Sequence, residues 1–313
     1  MRITVIIPTY ARSQDLARCC LALQAQDRLA DEVLVVVRDV DTETWQFLQT
    51  FDTDAIHLRS VTVRVPGQVA ALNAGLEAAQ GDIIAITDDD AVPHPDWLAR
   101  IEAHFVNQDS VGGVGGKDWL YEGDRLVDGK LEVVGKVQWF GRVIFSQHLG
   151  YGAFRSVDVL KGANMSFRTS AIAGLRFDTR LRGTGAQVAN DAQFCLMLKR
   201  RGWVLIYDPA VAVDHYPGQR FDVDQRLSFN AVAQADMVHN RTLMILEHLP
   251  PLRRCVFMLW AILVGTRGSP GIVQWLRFLP SEGSLATQKI LASLKGRWQG
   301  WQTWQRTKTA TFL

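Results

Sequence analysis

The strongest constraint on this chain is a regular alternation of short β-branched runs and amphipathic segments through its first hundred residues. Ile3–Pro8 is continuous and apolar, the pattern of a strand covered on both faces. Ser13 is placed to cap a helix whose apolar positions Leu16, Cys19, Cys20 and Leu23 recur at helical spacing. Glu32–Val37 reads as a second strand, with Trp45 and Leu48 marking a short helix after it. Ser60–Val65 is the third strand. Val69, Leu72, Leu76 and Ala79 then stripe a helix entered through Pro66-Gly67 and stopped by Gly81. Asp82–Thr87 is the fourth strand, and Pro95 precedes a helix with Trp97, Leu98, Ile101 and Phe105 on one face. Such β-α-β repetition predicts an α/β fold with a mostly parallel sheet flanked by helices and right-handed crossovers.

The chain has 313 residues, 48% of them hydrophobic and 21% charged, which is enough apolar material for a sizeable core. A formal charge of +2 gives no electrostatic case for a nucleic-acid partner, and none is expected. Cys19 and Cys20 are adjacent, Cys195 and Cys255 are isolated, and no CxxC pair exists; that usage fits a reducing compartment. The apolar start is too short for an export signal, so a cytoplasmic location is expected.

In open α/β sheets, ligands bind beyond the carboxyl ends of the strands. That rule singles out Thr9-Tyr10-Ala11-Arg12, Arg38-Asp39 and Asp88-Asp89-Asp90. Three successive carboxylates repel one another, and neither strand nor turn formation requires them. A hard divalent cation, Mg²⁺ or Mn²⁺, relieves that repulsion. Strand alternation puts Asp88 and Asp90 on one side. The bland alternative is a solvated acidic turn ahead of the next helix, and the strand-end position favours the cation.

At this point the residues resemble a known family, glycosyltransferase family 2, an inverting group with the GT-A fold. Four segments carry the resemblance: ITVIIPTYAR from Ile3, the stretch from Pro66 through Asp88-Asp89-Asp90 to Leu98, KGANMSFRTSAIAGLRFD from Lys161, and Gly183 through Asn190-Asp191 to His215. Together they cover roughly residues 1–216, in the family's order.

The resemblance implies a nucleotide-sugar site formed by Pro8, Thr9, Tyr10, Arg12, Asp39, Asn73, Asp88 and Asp89. It implies metal ligation by Asp90 and His215, an acceptor side at Gly183, Thr184, Gly185 and Asn190, and Asp191 as catalytic base. Arg38-Asp39 stands where the family more often has an acidic pair, and Asn190-Asp191 where it has Glu-Asp. The implied partners are a nucleoside-diphosphate sugar, UDP-linked by expectation, and a glycan or lipid-linked acceptor; the implied cofactor is Mn²⁺ or Mg²⁺. One base on the acceptor side and one metal on the leaving-group side imply a single in-line displacement with inversion.

Competing readings come from the residues themselves. Asp191 opens a predicted helix and would complement its dipole in any case, His215 would serve as an ordinary strand-end histidine, and Gly183-Thr184-Gly185 would serve as a turn. Gly112–Gly116 looks like a dinucleotide loop, but no amphipathic helix follows it; the stretch from Val111 reads instead as extra strands with a lid-like excursion over 117–160. Helical pattern returns at Asp191–Arg201, ends at Gly202, and leads to a strand at Trp203–Tyr207.

Residues 217–313 form a second, mainly helical region, with Leu227, Ala231, Ala235, Val238, Thr242, Leu246 and Leu249 on one face. Processive members of the family carry a Q/RxxRW motif and spanning helices. Position 294 here is Leu, ahead of Arg297-Trp298, so transfer of one sugar per encounter is expected. The apolar run Cys255–Gly265 is shorter than the ~20 residues of a spanning helix. With Arg253-Arg254 and the late Lys295, Arg297, Arg306 and Lys308, it reads either as a peripheral contact with the inner membrane face or as a homodimer interface. Trp298, Trp301 and Trp304 read as a helix-face stripe. Two rival functions stand beside the transferase. A sugar nucleotidyltransferase would need a glycine-rich basic loop after the first strand, which Thr9-Tyr10-Ala11-Arg12 is not. The other rival is a degenerate nucleotide-sugar-binding scaffold of a synthesis complex.

Overall fold

The computed structural model describes residues 1–53, 55–225 and 228–311, with side chains followed as far as Thr307. Leu227 and the side chain of Lys308 lie outside the described residues. The chain forms two units: Met1–Lys136, Ile144–Phe177 and Phe194–Gln219 make the first, and Val137–Val143, Asp178–Gln193 and Arg220–Leu313 the second.

Strand β1 (Ile3–Thr9) is buried at all seven positions, as its uninterrupted apolar run requires. Helix α1 (Ser13–Gln24) follows and buries Leu16, Cys19, Cys20 and Leu23. Ser13 does not cap it. The cap position is Arg12, and the Ser13 hydroxyl donates to Glu43 instead. After β2 (Glu32–Arg38) comes α2 (Thr42–Thr50), capped by Asp41, whose carboxylate accepts from the Thr44 amide at 3.1 Å. Strand β3 (Leu58–Val63), helix α3 (Gln68–Ala78) and β4 (Ile83–Ile86) complete the alternation. The four strands lie in the order β4-β1-β2-β3, all parallel.

Beyond β4 the sheet becomes mixed. Strand β5 (Ala91–Pro93) and helix α4 (Trp97–Asn107) lead to the long β6 (Val111–Glu122). Four short strands follow: β7 (Arg125–Leu126), β8 (Lys136–Val137), β9 (Val143–Ile144) and β10 (Arg155–Val157). Strand β11 (Met165–Arg168) inserts between β4 and β6, antiparallel to both. After α5 (Thr169–Ile172) and α6 (Asn190–Arg200), strand β12 (Val204–His215) runs parallel to β6, with β10 and β5 antiparallel on it.

The glycine run therefore builds β6 and not a phosphate loop. Gly116 shows why a side chain is excluded there: a Cβ would lie 1.7 Å from the Val211 carbonyl oxygen. That close approach comes from an irregularity in β12, whose pairing with β6 shifts register between Asp208 and Ala212, around Pro209. The sequence predicts a strand ending at Tyr207; the bulge instead lets β12 resume pairing and continue to His215.

In the second unit, Asn230 caps α7 (Ala231–His248) by accepting from the Val232 and Ala233 amides at 2.9 and 3.2 Å. Helix α8 (Pro251–Leu263), a hairpin of β13 (Gly265–Thr266) and β14 (Ser269–Pro270), helix α9 (Ile272–Glu282) and the long α10 (Ser284–Thr311) complete it. No described helix is long and apolar enough to cross a membrane.

Candidate active site

Asp88, Asp89 and Asp90 occupy the turn between β4 and β5, not the strand itself. Strand alternation therefore does not decide which way they point. Tertiary contacts do, and they separate the three.

Asp89 is fully buried, with its Oδ1 2.7 Å from Nη2 of Arg12. Burial pushes its carboxyl up to about 8 despite that arginine. Asp89 thus belongs to the framework under the site and not, as the sequence suggests, to a nucleotide-facing surface. Asp90 is also buried but is held ionised. Burial opposes the charge, and His215, Arg12 and the Gly218 amide outweigh it, keeping Asp90 well below the usual carboxylate range. The Arg12 contact is 3.0 Å and the Gly218 amide donates at 2.8 Å. Asp88 is half-buried and accepts from Gln68 Nε2 at 3.3 Å. Burial and the Asp90 charge push its carboxyl up.

His215, at the end of β12, stands between two carboxylates: Nε2 is 3.3 Å from Asp90 Oδ1 and Nδ1 is 3.5 Å from Asp118 Oδ2. Burial disfavours an imidazolium here, but those two carboxylates push His215 up to about 9. Ligand atoms of Asp88, Asp90 and His215 all lie within 4.8 Å of one another. A buried imidazole that draws in a proton under these conditions marks a place where the protein field favours positive charge, and a metal ion competes with that proton. Two carboxylates and an imidazole suit Mn²⁺, with Mg²⁺ drawing mainly on the oxygens. The residues present fit the cation.

Asp118 has no counterpart in the sequence reading. It sits in β6, nearly all buried, and pairs with Lys161. Burial would raise its carboxyl, yet Lys161 and His215 hold it low. The signal was present: Lys117-Asp118 is a charged pair in the middle of a strand that is otherwise uncharged until Glu122. What it lacked was a partner, because His215 is nearly a hundred residues away.

Other predicted contacts fall into place unevenly. Pro8 and Thr9 are buried within β1, in register with Val36 and Val37, so their side chains belong to the sheet. Tyr10 is exposed, and the Arg38 guanidinium lies 5.8 Å from its ring centre. Asp39 follows β2 and lies 3.8 Å from Arg38. Arg12 reaches inward to Asp89 and Asp90, at 2.7 and 3.0 Å.

Asn73 is a clear departure. Its amide donates to the Phe177 carbonyl at 2.9 Å and accepts from the Phe177 amide at 2.8 Å, which commits both ends to the backbone. We expect Asn73→Ala to lower stability in urea denaturation by about 1–3 kcal/mol while leaving nucleotide binding unchanged. A selective loss of nucleotide binding would return Asn73 to the ligand site.

In the second unit, the segment before α6 is braced internally. Arg180 pairs with Asp178 and Glu247, each at 2.6 Å, and Asn240 bonds the Arg182 backbone from both amide ends, at 2.8 and 2.9 Å. Gly183 has a φ of +108°, and Gln187 and Ala189 also take positive φ, at 42° and 78°. Thr184 is exposed. At Gly185 a Cβ would meet Asp222 Oδ2 at 1.8 Å, so this glycine answers to Asp222. The Asn190 amide donates to the Ala186 and Gln187 carbonyls at 2.9 and 3.2 Å, bracing the loop from within. Asp191 is half-buried in the first turn of α6, and its Oδ1 accepts from the Ala192 amide at 2.7 Å. Half-buried Arg241 feels its charge. Strained backbone leading straight into a half-buried carboxylate is a pattern found at functional sites.

Comparison with known proteins gives this geometry a lineage. The chain is 33% identical over 101 residues to the glycosyltransferase AglE of Haloferax volcanii, a match spanning 31% of this chain and 33% of that relative. It is 24% identical over 226 residues to the glucosyl-dolichyl phosphate glucuronosyltransferase of the same organism, covering 69% of each. Among solved structures, residues 1–349 of S. aureus TarS in complex with UDP-GlcNAc share the fold, with a TM-score of 0.60 at 17% identity over 93% of this chain and 79% of that one. The mannosyltransferase PcManGT of Pyrobaculum calidifontis, with GDP-Man and Mn²⁺, gives a TM-score of 0.56 at 19% identity, covering 97% and 84%. The family profile described as glycosyltransferase like family 2 matches residues 1–232, from β1 through the acidic turn and past His215, and to that family this chain belongs.

Proposed function

We propose that this enzyme moves one sugar from a nucleoside-diphosphate sugar, UDP-linked by preference, to a hydroxyl of a glycan or lipid-linked acceptor, with inversion and with a divalent cation. The observation that carries this reading is the convergence of Asp88, Asp90 and His215 within 4.8 Å at the carboxyl end of β4. A nucleotide sugar with Mn²⁺ in PcManGT, and a glucuronosyltransferase acting on a dolichyl phosphate sugar among the relatives, support it by kinship.

Asp88, Asp90 and His215 would hold the cation. When bound, a cation there supplies positive charge against the negative charge that grows on a departing diphosphate. Arg12 and the Gly218 amide fix the Asp90 carboxylate so that it needs no rearrangement when ligand arrives. Asp118 would fix the His215 ring through Nδ1, leaving Nε2, which faces Asp90, for the cation. The acceptor hydroxyl is a weak nucleophile near neutral pH, so Asp191 takes its proton as the new bond to the anomeric carbon forms. The bond from that carbon to the phosphate oxygen breaks in the same step, and its electron pair leaves with the nucleoside diphosphate.

A thermal-shift screen of nucleoside-diphosphate sugars with and without Mn²⁺ tests the donor half directly. One donor class should raise the melting temperature with Mn²⁺ and much less without it. Stabilisation by nucleoside triphosphates alone would instead support the nucleotidyltransferase reading.

A further inference from the structure

Charge along this chain is divided unevenly. Residues 249–313 carry nine basic residues and a single acidic one, Glu282, whereas residues 1–248 carry 25 basic and 31 acidic. The small overall charge therefore conceals a strongly positive C-terminal region. Between Leu249 and Ser281 there are four arginines and no carboxylate.

The same stretch exposes apolar surface. On α8, Leu252, Leu259 and Leu263 are 69%, 62% and 51% exposed, and their spacing of seven and four places them on one helical face. Helix α9 has no buried residue, and Ile272, Val273 and Leu276 are 42%, 51% and 55% exposed. The β13–β14 hairpin joins the two helices. Arg297 of α10, itself buried, donates to the Ser269 and Pro270 carbonyls at 2.7 and 3.1 Å and so fastens that hairpin. At the hairpin turn Arg267 has a side chain 76% exposed and 3.8 Å from Glu282, a carboxylate that Lys289 also holds at 2.5 Å, so the local balance stays positive; Arg277 on α9 is exposed as well.

We propose that the exposed apolar faces of α8 and α9, with Arg267 and Arg277 beside them, dock on an anionic phospholipid bilayer. Neither helix is of spanning length, so each lies in the plane of the interface with its leucines among the acyl chains and its arginines among the headgroups. Charge decides the occupant. A second copy of this chain would bring the same positive surface against itself, and like charges face each other across an isologous contact. Nucleic acid matches the arginines but offers nothing to a face of Leu, Ile and Val. An anionic bilayer satisfies both.

The test uses the full chain and does not depend on transfer activity. Flotation is measured with phosphatidylcholine vesicles and with vesicles enriched in phosphatidylglycerol, at low and raised salt. The protein should float with the anionic vesicles, lose binding as salt rises, and stay largely unbound with the neutral ones. Arg267→Glu with Arg277→Glu should lower partitioning about tenfold or more. Leu259→Glu with Leu276→Glu should do the same, since burying charge among acyl chains is strongly unfavourable. All four positions are exposed; if either double variant loses its cooperative melt, single Arg267→Glu replaces it. Equal binding to both vesicle types, no binding to either, or variants that bind as wild type would overturn the proposal. So would sedimentation showing a dimer that Leu259→Glu with Leu276→Glu dissociates.

Discussion

Asp191→Asn should lower the transfer rate by about 10²–10⁴-fold, the usual contribution of a positioned general base, while donor binding stays as in the wild type. The substitution suits the question because it changes charge and little else. Asn retains an oxygen able to accept from the Ala192 amide, as Asp191 Oδ1 does now at 2.7 Å, so the first turn of α6 keeps its local bond. What is lost is the capacity to receive a proton from the acceptor. The fall should appear in kcat and kcat/KM together, as expected of a group whose work is done in the transition state. Normal turnover in Asp191→Asn would remove the base from this position and leave the carboxylate as a helix-dipole partner, the alternative that its place at a helix start always offered.

The second large effect concerns the cation. Outer-shell partners of a metal commonly cost 10–100-fold when removed, so if Asp90 ligates the cation as proposed, Asp90→Asn should weaken Mn²⁺-dependent donor binding by about 100-fold or more. Titration calorimetry with nucleoside diphosphate, with Mn²⁺ and after chelation, separates the outcomes. In the wild type, chelation should abolish most of the binding; in Asp90→Asn, chelation should change little, because the cation-dependent part is already gone. If the variant bound donor tightly and still responded to chelator, Asp90 would be a framework residue like Asp89.

The contrast between these neighbouring aspartates measures what the linear sequence could carry. The alternation of strands and helices was legible because burial on both faces demands continuous β-branched runs, and β1, β2 and β4 are buried as those runs require. The location of the site at the carboxyl end of β4 followed from the same topology. Less legible was everything that depends on long-range pairing. The inserted antiparallel β11 is a short segment, MSFR, with little periodicity to betray it. The continuation of β12 past Tyr207 depends on a bulge whose cause, the approach of Val211 to Gly116, joins residues far apart in sequence. Asn73 lies in a segment that matches the family, and its contact with Phe177 spans a separation that no local pattern encodes.

By itself, then, the sequence determined a parallel α/β core, an acidic cluster at a strand end, and a helical C-terminal region rich in positive charge. Hydrophobic periodicity and charge are local properties, and local properties can be read in order. The tertiary structure alone decided how different the surroundings of the neighbouring aspartates are. Arg12 arrives from the turn after β1, Gly218 from beyond β12, and His215 through the bulge, and all three converge on Asp90. Asp89, one residue earlier, is turned into the interior against Arg12, where burial prevails and pushes its carboxyl up to about 8. Adjacent identical residues are pushed in opposite directions because the field at each carboxylate is set by groups the chain brings from elsewhere.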